Sequence, residues 1–132
     1  SFLVPHRNEM SETVGYKVKS NQKSIIYLPD IDSWEKWSKN INDIVNDNNY
    51  LFIDGTFYTK SEILNRDINT IPHPSIVETM DKFSALSQED RKKVFFTHLN
   101  HTNKILKENS PEINSLLEAG YNVASDGETF YI

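Results

Sequence analysis

Four histidines and two aspartates stand where their side chains could converge on one metal ion. His6 ends the run Phe2-Leu3-Val4-Pro5-His6, and His98 ends Val94-Phe95-Phe96-Thr97-His98, with His101 three residues further on. His73 is held between Pro72 and Pro74. Two more strand-like runs end in carboxylates, Ser24-Ile25-Ile26-Tyr27-Leu28-Pro29-Asp30 and Tyr50-Leu51-Phe52-Ile53-Asp54. Imidazole and carboxylate are the usual ligands of zinc or iron, and the ends of neighbouring strands are places from which a sheet can aim several side chains at one point.

Each residue also has a plainer use. Asp30 and Asp32 precede a helical pattern, where aspartate is a preferred cap, so Asp30 reads equally as cap or ligand. His98 is the stronger ligand of its pair, with His101 orienting it or bonding a loop carbonyl. His73 suits a general acid or base, because an imidazole titrates near neutral pH, and suits a plain turn equally well. Asp54 either faces the site or shapes a turn with Gly55. His6 gains its claim from the others, while Arg7, Glu9 and Glu12 read as a solvated charged loop. The spacing of Trp34 and Trp37 with Ile41 points to core rather than to a sugar platform.

The elements that must position these residues alternate between strand and helix patterns. Thr13–Lys19 alternates apolar and polar and pairs through an Asn21-Gln22-Lys23 turn with Ile25–Leu28 as a predicted hairpin. A helix is predicted from an Asp32 cap, with Glu35 at capping-box spacing, to about Asp47. Leu51–Ile53 is a buried strand, followed by a loop over 55–71. A second helix, with Pro74 in its first turn, carries Ile76, Val77, Met80 and Phe83. Val94–Phe96 is another buried strand, and Ser110, Pro111 and Gly120 bracket a third helix. Tyr121–Ala124 and Thr129–Ile132 are predicted as closing strands about the Asp126-Gly127 turn.

Composition narrows the function. The chain has 132 residues, 37% of them hydrophobic, enough for one core and too few for two, so 1–132 reads as a single domain. A net charge of −5 without a basic stripe argues against a nucleic-acid partner. No apolar stretch is long enough to span a bilayer, which leads us to expect a soluble protein of cytoplasm or periplasm, with no membrane partner. Cysteine is absent, which excludes disulfides and thiolate ligands. Neither a Gly-rich phosphate loop nor a G-x-S-x-G elbow occurs.

Taken in order, Val4-Pro5-His6, Glu12-Thr13-Val14-Gly15-Tyr16-Lys17-Val18, Ile26-Tyr27-Leu28-Pro29-Asp30, Asp54-Gly55-Thr56-Phe57, His73-Pro74-Ser75 and Thr97-His98-Leu99-Asn100-His101-Thr102-Asn103 resemble the second half of a metallo-β-lactamase-fold protein. Within that superfamily they resemble the branch containing pyrroloquinoline quinone biosynthesis protein B. The resemblance spans essentially the whole chain. It implies that His6, Asp30 and His98 are metal ligands, since they match the histidine before a Gly-Tyr strand, the bridging aspartate and the late histidine after threonine. It also implies proton transfer by His73, which matches a helix-opening histidine of the transfer-RNA-processing branch, although Pro74 stands where that branch has serine.

Two departures go with the resemblance. Pro29-Asp30-Ile31-Asp32 replaces the Gly-Asp-Thr of many members, and the H-x-H-x-D-H loop that supplies most ligands of the first metal is absent from these residues. The expected fold is therefore the carboxyl-terminal half of an αββα sandwich, α+β, with a mixed sheet and helices on one face. Its other face should be covered by a missing amino-terminal half or by self-association. The expected cofactor is zinc, with iron or manganese as alternatives. The expected function is a metal-dependent hydrolase-like or oxygenase-like protein acting on an unknown small molecule with His73 and Asp54 as catalytic partners, inactive as this half alone. The alternative is a non-catalytic binding or structural domain.

Overall fold

Alternating runs of β-branched and aromatic residues lie next to one another in the order in which they occur. The computed structural model describes residues 1–7, 11–62 and 72–132. Its sheet follows the chain from strand β1 (Phe2–Val4) through β2 (Thr13–Lys19), β3 (Ser24–Leu28), β4 (Tyr50–Asp54) and β5 (Val94–Thr97) to β6 (Asn122–Val123). The predicted hairpin is present: β2 and β3 pair antiparallel, and the Ser20 hydroxyl accepts from the amides of Gln22 and Lys23 in the turn. β1 is also antiparallel to β2, whereas β3, β4, β5 and β6 run parallel.

These directions decide where the strand ends go. β1 and β3 are both antiparallel to β2 and so point the same way, which brings the carboxyl ends of β1, β3, β4 and β5 to one edge of the sheet. The Asp32 amide donates to the Pro5 carbonyl at 2.8 Å, tying the end of β1 to the end of β3.

One face of the sheet carries the core. Ile26, Leu28, Leu51, Ile53, Val94 and Phe96 alternate onto this face and are buried against Trp34, Trp37, Ile41, Val45, Ile76, Phe83 and Leu116. The helices that supply several of these residues are α1 (Ile41–Asn46), α2 (Ile76–Lys82), α3 (Gln88–Arg91) and α4 (Pro111–Glu118). The mixed sheet with helices on one face is the α+β arrangement read from the sequence. On the opposite face Tyr16, Val18 and Tyr27 are exposed.

Three local expectations are corrected. The helix predicted over 32–47 is present only as α1, capped by Asn40, whose side chain accepts from the Asn42 amide. Two tertiary hydrogen bonds prevail over the periodicity before it. The Trp34 indole donates to Thr79 Oγ1 at 2.9 Å and the Trp37 indole to the Leu3 carbonyl at 3.2 Å, two partners far apart in the chain. Asp32 caps no helix and pairs with Lys36. Pro74 lies one residue before the cap of α2, which is Ser75 in a capping box with Glu78.

The third correction concerns the end of the chain, where 129–132 forms no strand. Instead Phe130 packs edge-on against Tyr50, Phe52 and Phe95 at 5.1, 4.9 and 5.0 Å between ring centroids, covering part of the second sheet face. Aromatic burial is stronger here than a further two-stranded pairing. The third predicted helix, α4, stands as read: Ser110 caps it, Pro111 opens it, and Gly120 ends it with φ +93°. Residues 63–71 of the predicted loop, and Glu9, lie outside the described residues.

Candidate metal centre

Asp54 is the last residue of β4, Asp30 lies two residues beyond β3, and His98 directly follows β5. Because these strand ends share an edge, Asp30, Asp54, His73 and His98 each bring a potential ligand atom to within 4.8 Å of the others. His6, two residues beyond β1, joins through Asp30, with its Nε2 at 3.1 Å from Asp30 Oδ1. The rings of His6, His73 and His98 follow one another at 6.0 and 5.9 Å, and Phe57 packs edge-on against His73. All five residues singled out from the sequence therefore meet. His101 does not, and stays exposed in the turn after His98.

The backbone pays particular attention to His98, which adopts φ 59°. A left-handed conformation costs a non-glycine residue about 1–2 kcal/mol, and here it turns the chain sharply at the end of β5. The adjoining loop is fixed from below by Asn103. Its buried amide donates to the carbonyls of Gly55 (2.8 Å) and Thr56 (3.2 Å), and its oxygen accepts from the Ile105 amide.

Asp54 is fully buried and accepts from the Ile31 amide (3.2 Å), the Thr56 amide (2.9 Å), the Thr56 hydroxyl (2.7 Å) and His73 Nδ1 (2.7 Å). Four donors fill the acceptor positions of one carboxylate. Asp54 is thus turned toward its neighbours and holds them, while also forming the turn that the Asp-Gly pair suggested. The bond to the Thr56 amide, two residues on, is an Asx turn.

Asp30 is different. Its Oδ1 is buried and makes no hydrogen bond among the described residues, although His6 Nε2 and His73 Nδ1 lie 3.1 and 3.6 Å away. A buried carboxylate oxygen without a donor is costly, and a cation satisfies it as well as a proton donor does. The donor set fits a divalent metal: a carboxylate oxygen of Asp30 with no hydrogen bond among the described residues, the imidazole of His6 beside it, and the imidazole of His98 in the same cluster.

For His73, burial would push the imidazole down. The hydrogen bond to Asp54 and the charges of Asp54 and Asp30 outweigh burial and the opposing Arg7, so its pKa lies above the ordinary 6.5.

Sequence reasoning missed Thr56, whose hydroxyl lies 3.1 Å from His98 Nδ1, and Asn103. The Asp-Gly-Thr order was the available signal for Thr56, since an Asx turn directs residue 56 back toward the carboxylate. Asn103 becomes visible only when the loops meet.

A mixed sheet with helices on one face is the metallo-β-lactamase type of fold, and the family comparison agrees. The model for the beta-lactamase superfamily domain matches residues 2–99, and the chain belongs to that superfamily. Among curated relatives, coenzyme PQQ synthesis protein B of Acinetobacter baumannii (strain ACICU) is 30% identical over 132 residues, covering 93% of this chain and 43% of that protein. The proteins of the same name from Methylococcus capsulatus and Gluconobacter oxydans are 29% and 25% identical, covering 93% and 90% of this chain and 42% and 40% of theirs. The chain thus spans less than half the length of these relatives. A crystal structure of zinc-bound PqqB from Methylobacterium extorquens superposes with a TM-score of 0.71 at 22% identity, covering 99% of this chain and 49% of that one, and shows the shared fold. Among the described residues no helix is long and apolar enough to cross a membrane.

Proposed function

We propose that His6, Asp30 and His98 contribute ligands to a divalent metal ion, zinc first with iron or manganese as alternatives, and that His73 with Asp54 handles a proton beside it. The observation that carries this reading is Asp30 Oδ1, buried, without a hydrogen bond among the described residues, and 3.1 Å from His6 Nε2. When bound, such an ion acts as a Lewis acid and lowers the pKa of water, chemistry suited to hydrolysis with zinc and to oxygen reactions with iron.

The protein residues then divide the remaining tasks. Asp54 holds the His73 Nδ1 proton, which leaves Nε2 as the nitrogen that takes or gives a proton, and the hydrogen bond to Asp54 raises the basicity of the ring against its burial. Phe57 covers one side of the ring and limits water there.

The names of the curated relatives support a role for the whole protein in coenzyme PQQ synthesis, with a small-molecule substrate, and the zinc in the solved structure supports zinc here. Metal analysis tests the reading. Full-length protein purified with zinc, iron and manganese available should retain metal, and the Asp30→Ala and His98→Ala variants should lose it. Equal, near-zero metal in all three overturns the proposal.

A further inference from the structure

The Thr56 hydroxyl sits among three partners but has one proton to give. It lies 2.7 Å from Asp54 Oδ1, 3.1 Å from His98 Nδ1 and 3.3 Å from His73 Nδ1. The carboxylate is the nearest and the only charged acceptor, and a hydrogen bond to an ionised acceptor is roughly twice as strong as a neutral one, so the proton goes to Asp54. The His73 Nδ1 proton is already directed to Asp54 Oδ2 at 2.7 Å. What remains for Thr56 Oγ1 is to accept, and the donor within reach is His98 Nδ1.

We infer that Thr56 is a positioning residue that fixes His98 as the Nδ1–H tautomer, leaving Nε2 as the electron-pair donor to the metal. The inference rests on the metal reading above and adds to it how the second imidazole is set. A neutral imidazole has one N–H, and the bond made by one nitrogen determines whether the other carries a lone pair. Metal-bound histidines depend on such outer partners for ring orientation and tautomer.

The local structure holds the hydroxyl in place. The Thr56 carbonyl accepts from the Asn100 amide at 3.0 Å and from Asn103 Nδ2 at 3.2 Å, while its own amide is bound by Asp54. The side chain is buried and β-branched, with few rotamers open to it. A chain of donors therefore runs from His98 Nδ1–H to Thr56 Oγ1 and from the Thr56 hydroxyl to Asp54. Asp54 thereby orients both His73 and, through Thr56, His98.

Two readouts on full-length protein test this. Nitrogen-15 NMR of the chelator-treated protein, at a pH of about 8.5 where an ordinary imidazole is neutral, should show His98 protonated on Nδ1 in the wild type and in Thr56→Ser, and on Nε2 in Thr56→Val. Zinc affinity, from chelator competition, should fall about 10–100-fold in Thr56→Val, with Thr56→Ser close to wild type.

A wild-type His98 protonated on Nε2 overturns the inference whether or not the valine variant folds. So does a Thr56→Val protein that keeps the Nδ1 proton or wild-type zinc affinity. If the tautomers follow the expected pattern while the wild type binds no metal, the positioning role stands and the metal reading fails.

Discussion

His73 Nδ1 lies 2.7 Å from Oδ2 of Asp54, a carboxylate with no exposure to solvent, and this contact sets the direction of the ring. The same carboxylate holds the Ile31 amide and both donors of Thr56. Asp54→Asn keeps the shape but replaces one acceptor oxygen with an amide donor, so one backbone amide faces another donor while the hydroxyl or imidazole that shared that oxygen must turn round to accept. Buried donors left unpaired cost about 1–3 kcal/mol each. We expect a loss of about 1–3 kcal/mol in urea unfolding, and a variant within about 0.5 kcal/mol of wild type would show that this network is not what fixes the loop.

Gly55 is predicted to be intolerant of a side chain for a local reason. A Cβ there would meet Phe96 Cβ at 2.9 Å, the Thr97 carbonyl at 3.0 Å and Leu99 Cδ2 at 3.0 Å. The first two atoms belong to β5 and have little room to yield. Overpacking of this kind costs about 1–3 kcal/mol, so Gly55→Ala should melt at lower temperature and hold zinc more weakly as Asp54 and Thr56 shift. An unchanged melting temperature would mean that β4 and β5 separate at no cost.

Tyr121 gives a prediction with a pH sign. The residue is buried, its hydroxyl has no hydrogen-bond partner among the described residues, and the Arg91 guanidinium lies 5.8 Å from the ring centre. Burial raises the phenol above its ordinary value near 10, with Arg91 opposing. A raised folded-state pKa contributes stability that is full below the unfolded value and is lost as pH rises through the folded value. Tyr121→Phe should therefore match or exceed wild-type stability at pH 8, by up to about 1 kcal/mol, and lose less of it above pH 10. Urea midpoints at the two pH values check this, and a large loss at pH 8 would reveal a hydroxyl partner.

The sequence made the sheet and the site legible to different depths. Strand ends were readable because the apolar runs Leu51-Phe52-Ile53 and Val94-Phe95-Phe96 are directly followed by the polar Asp54 and Thr97, and parallel neighbours put such ends together. The helix before Ile41 was not readable, because Trp34 and Trp37 have helical spacing and yet bond to Thr79 and to the Leu3 carbonyl, partners far away in the chain. The closing segment misled for a related reason: Thr129–Ile132 has strand composition, but Phe130 finds three rings to pack on. At the site, residue type announced the histidines and aspartates. What type could not announce was the division between them, in which Asp54 is saturated by donors and Asp30 is left with an oxygen that no described residue donates to.

Strand order in the sheet repeats strand order in the chain, and this has a kinetic meaning for the site. Each new strand needs only to find the one made just before it, so no closure spans more than one connection and the sheet can grow by accretion. The site residues arrive on the same schedule, with His6 following the first strand, Asp30 the third, Asp54 the fourth and His98 the fifth. The first imidazole thus waits through most of the chain for the last, and the cluster comes into being only when β5 has docked.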